Sequence, residues 1–216
     1  MALATLLGGT GFVGRALAAR LHADGWAVRV CARTPEAAGL PPGVALRACD
    51  VRVEAQLRAA IAGSDAVVYL PGVVRQSGTQ TYTALHLDAP CSAAALAQAD
   101  GARAFVFLSA LGVAADAPAA ADRSKIAGEA GVRAAFPDAQ VVRPSLITGI
   151  GDHFVGATAR LLRDLPVFPL LGAGRTRFQP LHVDDLAAGI AALLAQPGGP
   201  AATVEAAGPE VRTLAG

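Results

Sequence analysis

Short, almost wholly apolar runs alternate along the chain with longer stretches in which apolar positions recur every three or four residues. The first kind predicts strands over Leu3–Leu7, Ala27–Ala32, Val44–Cys49, Ala66–Leu70, Ala104–Leu108, Gln140–Arg143 and Thr203–Ala206. The second predicts helices over Phe12–Ala23, Glu54–Ala62, Tyr82–Ala99, Ser124–Ala135, Phe154–Arg163 and Asp184–Ala195. Strands without polar alternation are what a sheet covered on both faces requires. Strand followed by helix, repeated, predicts an α/β fold with a doubly wound parallel sheet. Asp24-Gly25 closes the first helix, because glycine takes the left-handed conformation after a helix end without a Cβ penalty. After Gly149 the pattern loosens: Leu165–Gly174 reads as a loop punctuated by proline and glycine, and Gln196–Ala201 as a turn.

Composition narrows the class. Of 216 residues, 53% are hydrophobic and 16% charged, which excludes a disordered chain and supports a well-buried core. A formal net charge of +1 removes nucleic acid and anionic lipid as general partners. The three cysteines, Cys31, Cys49 and Cys91, form neither a metal spacing nor a disulfide framework, so no metal site is expected. No apolar run reaches the ~18 residues of a membrane span; the nearest, Ala104–Ala115, is interrupted by Ser109 and Gly112. The N-terminus is apolar but lacks the basic region of a secretory signal. The expected location is cytoplasmic, with peripheral attachment at the cytoplasmic face of the inner membrane through a partner left open.

The sharpest motif is Gly9-x-Gly11-x-x-Gly14, extended by Gly8, between the first strand and the first helix. The first glycine permits a tight turn, the second lets backbone approach a pyrophosphate, and the third lets helix and strand pack closely. The helix start adds free N–H groups and a positive dipole end. Gly8, Gly9, Thr10, Gly11, Phe12, Val13 and Gly14 are therefore expected to cradle a dinucleotide. An acidic residue ending the second strand would bind a ribose 2′-hydroxyl and repel a 2′-phosphate; here stands Cys31-Ala32-Arg33-Thr34, with no acid before Glu36. Arg33, with Arg15 as a second candidate, can pair with phosphate. NADP(H) is therefore favoured, with NAD(H) as the alternative. Asp50, followed by Val51, ends the third strand and suits either the adenine amino group or the N-cap of the next helix. Leu70, Pro71 and Gly72 are expected beside the cofactor at the carboxyl edge of the sheet. Residues 1–150 read as the nucleotide-binding domain, and 151–216 as a short, reduced substrate-side region that is not an independent domain.

These residues, with Asp65-Ala66-Val67-Val68-Tyr69-Leu70, Phe107-Leu108-Ser109-Ala110, Ser124-Lys125, Gly128-Glu129 and Val142-Arg143-Pro144-Ser145, resemble the extended or atypical short-chain dehydrogenase/reductase superfamily, its NAD(P)-binding epimerase/dehydratase-like group. Ala134–Ala139 leading into Arg143-Pro144-Ser145, then Gly151–Phe154, Gly174–Asp185 and Gly208–Val211, look most like the family of the nucleotide-binding accessory subunit of respiratory complex I and its bacterial relatives. That resemblance implies a tightly held NADPH without established turnover. In the superfamily a Tyr four residues before a Lys moves the proton, the Lys lowers its pKa and holds the nicotinamide ribose, and a Ser polarises the substrate. Ser109 and Lys125 fit two of these catalytic roles, and both also count as cofactor contacts. The Tyr position is Ala121, and neither tyrosine of the chain, Tyr69 or Tyr82, lies in frame. Asp122 is the nearest substitute acid.

Pro144 and Ser145 are expected at the nicotinamide end, with strand termination as the simpler reading of Pro144. His182-Val183-Asp184-Asp185 reads as a helix start capped by Asp184 or Asp185 rather than as a catalytic or metal cluster, and Arg175 and Arg177 as loop cations. The chain stops at Gly216, early for the family, which implies a reduced substrate half or a truncation. The expected function is an NADP(H)-binding protein that stabilises or regulates a respiratory NADH dehydrogenase-like complex. The alternatives are an active NAD(P)-dependent reductase, epimerase or dehydratase, and a cofactor-sensing regulator.

Overall fold

The computed structural model describes residues 1–152, 163, 175–196 and 199–213. The expected helix over Phe154–Arg163, except for its last residue, and the expected loop over Leu165–Gly174 lie outside the described residues. Seven strands form one parallel sheet: β1 (Leu3–Leu7), β2 (Ala27–Ala32), β3 (Ala45–Ala48), β4 (Ala66–Tyr69), β5 (Ala104–Leu108), β6 (Gln140–Pro144) and β10 (Thr203–Ala206). Their order is β10-β6-β5-β4-β1-β2-β3. The register is set at the centre by Leu7 opposite Cys31 on one side and Tyr69 on the other. Between β1 and β4 the winding reverses, which opens a crevice at the carboxyl ends of these strands.

Alternate side chains of the strands feed two cores. Leu7, Cys31, Val67, Tyr69, Phe105, Phe107 and Val141 pack with helices α2 (Glu54–Ile61), α3 (Ala89–Ala99) and α4 (Ala120–Ala135). Leu6, Val30, Val68, Val106 and Val142 pack on the opposite face with α1 (Phe12–Ala23) and α5 (Val183–Leu194). The described parts of the C-terminal region thus join the nucleotide-binding sheet itself: α5 lies on α1, and β10 pairs with β6 from Thr203 opposite Val141 to Ala206 opposite Pro144. Two short pairs were not legible in the sequence: β7 (Ile147–Thr148) with β9 (Leu181–His182), and β8 (Arg177–Phe178) with β11 (Arg212–Thr213).

Three local expectations change. The helix expected over Tyr82–Ala99 begins as a π-helical segment, Thr83–Asp88, before α3. Pro90 explains this: it stands four residues after His86, has no N–H to give that carbonyl, and its ring would clash there, so the turn widens. Asp50 is not the cap of α2, which starts after Val53 with no side-chain cap. Asp50 instead accepts from the backbone and guanidinium of Arg52. At α5 the cap is His182, whose ring accepts from the Asp184 amide, rather than Asp184 or Asp185. The helix starts one residue earlier than expected, which leaves the aspartates inside its first turn, where their charge favours the dipole. Gly25, at φ +84°, follows the end of α1 as expected.

Candidate functional site

The turn after β1 is built from backbone packed on backbone. Gly8 sits at φ +76°, where a side chain is strained, and its amide donates to the Cys31 carbonyl at 2.8 Å. A Cβ on Gly14 would lie 2.5 Å from both the Cα and the carbonyl oxygen of Gly9, so α1 can rest on the turn only without side chains there. Gly11 stands at the N-cap of α1 and supplies no capping side chain. The first amides of α1 therefore remain available to an anion.

Two neighbouring cavities meet at Thr10 and Gly11. The smaller, about 320 Å³, lies at the carboxyl ends of β1–β4 and is lined by Gly8, Thr10, Gly11, Arg33, Asp50, Val51, Arg52, Pro71, Gly72 and Gln80 among others. The larger, about 560 Å³, lies toward α5 and is lined by Phe12, Arg15, Ile150, Gly151, His182 and Asp184 among others. The smaller occupies the crevice where the winding reverses, the place where a dinucleotide binds in such sheets. Most of the residues expected at the cofactor line one of these two spaces. Gly9, Val13, Gly14, Leu70, Ser109 and Lys125 line neither; Leu70 donates its amide to the Leu7 carbonyl beneath the smaller space.

Charge at the β2–β3 side of the smaller cavity, where the sequence reading expects the adenosine, is set by three groups. Arg33 is exposed. The Asp50 carboxylate is held by Arg52 at 2.8 and 2.5 Å, and this pairing keeps its carboxyl below the usual range, with Arg33 adding to the effect. Arg52 also donates to the Thr79 hydroxyl, which ties the loop after β4 to the turn after β3. Arg15 donates to the Thr10 carbonyl at 2.8 Å and faces the larger cavity.

The other end of the crevice lies between the loop after β4 and the start of α4. A Cβ on Gly72 would sit 3.5 Å from His86 Nε2 and 3.7 Å from Lys125 Nζ. Burial lowers the Lys125 ammonium to a pKa of about 8, with Glu129 and Asp122 opposing that shift. Ala121 occupies the first turn of α4, where its carbonyl accepts from the Ser124 hydroxyl at 2.7 Å. Ser109, at the end of β5, donates to Glu129 Oε1 at 2.5 Å. Arg143 grips both oxygens of Glu129, at 2.9 and 2.7 Å, so the Ser109 hydroxyl belongs to a buried ion-pair network. Pro144 ends β6 opposite Ala206 of β10 and Ser145 follows it, Pro144 accepting from the Leu111 amide and Ser145 donating to the Ala206 carbonyl; they line neither cavity.

His86 and Arg52 were not singled out from the sequence, and Glu129 entered only as part of the family resemblance, without a role. The one available signal for His86 was Pro90, which marks a distortion in an otherwise regular helix pattern. Of the tyrosines, Tyr69 is buried and donates to the Leu85 carbonyl, and burial pushes its phenol up. Tyr82 stacks on His86 with ring centroids 5.5 Å apart and donates to the Val74 carbonyl. Among the described residues no three His, Cys, Asp or Glu side chains gather as a metal site, and no helix is long and apolar enough to cross a membrane.

Comparison with known proteins fits this geometry. The NAD dependent epimerase/dehydratase family profile matches residues 4–205. The chain is 32% identical over 222 residues to the mitochondrial NADH dehydrogenase [ubiquinone] 1 alpha subcomplex subunit 9 of Arabidopsis thaliana, covering 98% of this chain and 55% of that protein. It is 31% identical over 194 residues to a ceramide reductase of Caulobacter vibrioides, covering 89% of this chain and 61% of that protein. The chain thus spans between half and two thirds of the length of these relatives. The fold matches that of DesIV, a dTDP-glucose 4,6-dehydratase from Streptomyces venezuelae solved with NAD and TYD bound, at a TM-score of 0.82 and 21% identity, covering 99% of this chain and 78% of that one.

Proposed function

This chain belongs to the NAD dependent epimerase/dehydratase family, and from that premise we propose that it holds NADP(H) without orthodox reductase turnover and stabilises or regulates a respiratory NADH dehydrogenase-like complex. The observation that carries the reading is at the proton-transfer position. Ala121 has no proton to move, and the Ser109 hydroxyl is donated to Glu129 instead of facing a substrate. Lys125 keeps the other role, that of an ammonium beside the groove able to donate to ribose hydroxyls.

The cofactor reading rests on charge. The acid at the adenosine end is neutralised by Arg52, and Arg33 adds a cation, so the cavity favours an extra phosphate over a bare 2′-hydroxyl. Similarity to a respiratory-complex subunit supports the choice of partner, which would hold the chain at the cytoplasmic face of its membrane. The test is to identify the co-purifying nucleotide and to titrate NADPH against NADH. NADPH should bind more tightly, and Arg33→Asp should abolish the preference. Unchanged preference in that variant, or steady NADPH oxidation with simple carbonyls, would refute the respective half of the reading.

A second reading is supported by Lys125 itself. An ammonium with a pKa of about 8 can give up a proton near neutral pH, and one relative is named a ceramide reductase. In that reading a bound reduced nicotinamide would supply hydride chemistry, and Lys125 would give a proton to the carbonyl oxygen of the substrate and regain one from water. Turnover that survives Ser109→Ala and vanishes in Lys125→Ala would favour it.

A further inference from the structure

We infer that His86 is a positioning residue that clamps the Gly72–Val73 loop to the Ser124–Lys125 turn and so shapes the nicotinamide half of the groove. This rests on the reading that a dinucleotide occupies the crevice, and it adds a residue and a role which that reading does not contain.

The imidazole is fixed at both nitrogens. Val73 donates its backbone N–H to Nε2 at 3.0 Å. An amide can only donate, so Nε2 carries no proton and Nδ1 does. Nδ1 lies 2.9 Å from the Ser124 hydroxyl oxygen and donates to it. The Ser124 hydroxyl in turn donates a hydrogen bond to the Ala121 carbonyl at 2.7 Å. Three hydrogen bonds therefore run in one direction, from the loop after β4, through the ring, to the first turn of α4. Lys125 follows Ser124 directly, and His86 Nε2 and Lys125 Nζ would lie 3.5 and 3.7 Å from a Cβ placed on Gly72.

The ring is held from behind as well. A Cβ on Gly128 would fall 1.8 Å from the His86 carbonyl oxygen, so the widened π turn is pressed against α4 at a residue that has no side chain. Tyr69 anchors the same turn through Leu85, and Tyr82 stacks on the ring face. Burial and the neighbouring Lys125 charge lower the His86 pKa to about 4, which keeps the neutral form that accepts from Val73. The device links the two segments that border the nicotinamide side and makes no hydrogen bond of its own to Arg33, Asp50 or Arg52.

That asymmetry supplies the test. NADPH and adenosine 2′,5′-bisphosphate, which fills only the adenosine half, are titrated against the unaltered protein, His86→Ala, His86→Gln and Ser124→Ala, with nicotinamide fluorescence followed in the NADPH series. His86→Ala should weaken NADPH about tenfold, the scale of one or two lost hydrogen bonds, and shift nicotinamide emission toward that of free NADPH. Its affinity for the bisphosphate should stay within about twofold. His86→Gln, which can accept from Val73 and donate to Ser124, should recover most of the loss. Ser124→Ala keeps the ring and removes its acceptor, so it should show a weaker effect of the same pattern even if His86→Ala fails to fold. Unchanged NADPH affinity and emission in the folded variants, or equal weakening of both ligands, would overturn the clamp. No NADPH binding by the unaltered protein would overturn the underlying nucleotide reading, and the clamp with it.

Discussion

Replacing Glu129 tests the central electrostatic joint of the molecule. Its side chain is 4% exposed and takes three hydrogen bonds: two from Arg143 on β6 and one from Ser109 at the end of β5. Removing one partner of a buried pair costs about 3–5 kcal/mol, because the other charge stays buried without compensation. Two features place this site at the lower end. The Arg143 side chain is 20% exposed and can recover some water, and it retains Glu205 at 3.7 Å, a carboxylate 59% exposed and therefore a weak substitute. Leaving the Ser109 hydroxyl unpaired adds on the order of 1 kcal/mol. Glu129→Ala is thus expected to lose about 3–4 kcal/mol in urea unfolding monitored by far-UV circular dichroism, with an unchanged slope. Glu129→Gln keeps the shape and part of the bonding and should lose about half as much. The double replacement Glu129→Leu with Arg143→Met should recover much of the single-variant loss, since apolar substitutes for a buried pair are often neutral. The same carboxylate supports the Lys125 charge, so Glu129→Gln should also drive the Lys125 pKa below its present value of about 8. A Glu129→Ala variant within about 1 kcal/mol of the unaltered protein would show that the network is not the joint described here.

Other consequences follow from the same contacts. If the Lys125 ammonium holds the ribose as proposed, NADPH affinity should fall as pH rises through about 8, and this step should vanish in Lys125→Ala when measured by calorimetry. The His86 pKa is about 4 when folded against an ordinary 6.5, so the unfolded chain binds more protons between those values. That contribution is present above about 6.5 and is lost as pH falls toward 4, and His86→Gln should flatten the slope in urea midpoints measured from pH 7 to 5. Gly128→Ala should destabilise by at least 1–3 kcal/mol, as overpacking does, since its Cβ would meet the His86 carbonyl. Gly72→Ala meets only ordinary contacts and should fold normally; thermal unfolding separates the two.

The centre of the sheet was legible in advance because strands covered on both faces must be apolar, and β1, β2 and β5 fall at the expected residues; the exposed edge strand β10 also falls at its expected residues, but not for that reason. The glycine loop was legible because its spacing and its flanking elements act together. What escaped notice depends on contacts between distant segments. Nothing local in Glu129 says that Arg143, on another element, will take both its oxygens. Arg52 lies only two residues from Asp50, yet its claim on that carboxylate depends on the turn after β3, which displaced the expected cap. His86 sat inside a helix pattern, and only the position of Pro90 hinted that the turn around it would widen.

The fit of Gly14 on Gly9 also separates ancestry from present use. Gly14 excludes a side chain because its Cβ would meet the Gly9 main chain, and Gly9 because its Cβ would meet Val30 and Leu6 at 2.9–3.0 Å, before any ligand arrives. A descendant that had given up its nucleotide would still have to retain both, or lose the seat of α1. A glycine signature of this kind therefore testifies to architecture first. Whether the groove is still in service must be read from groups the architecture does not need, and Arg33 is the plainest of them.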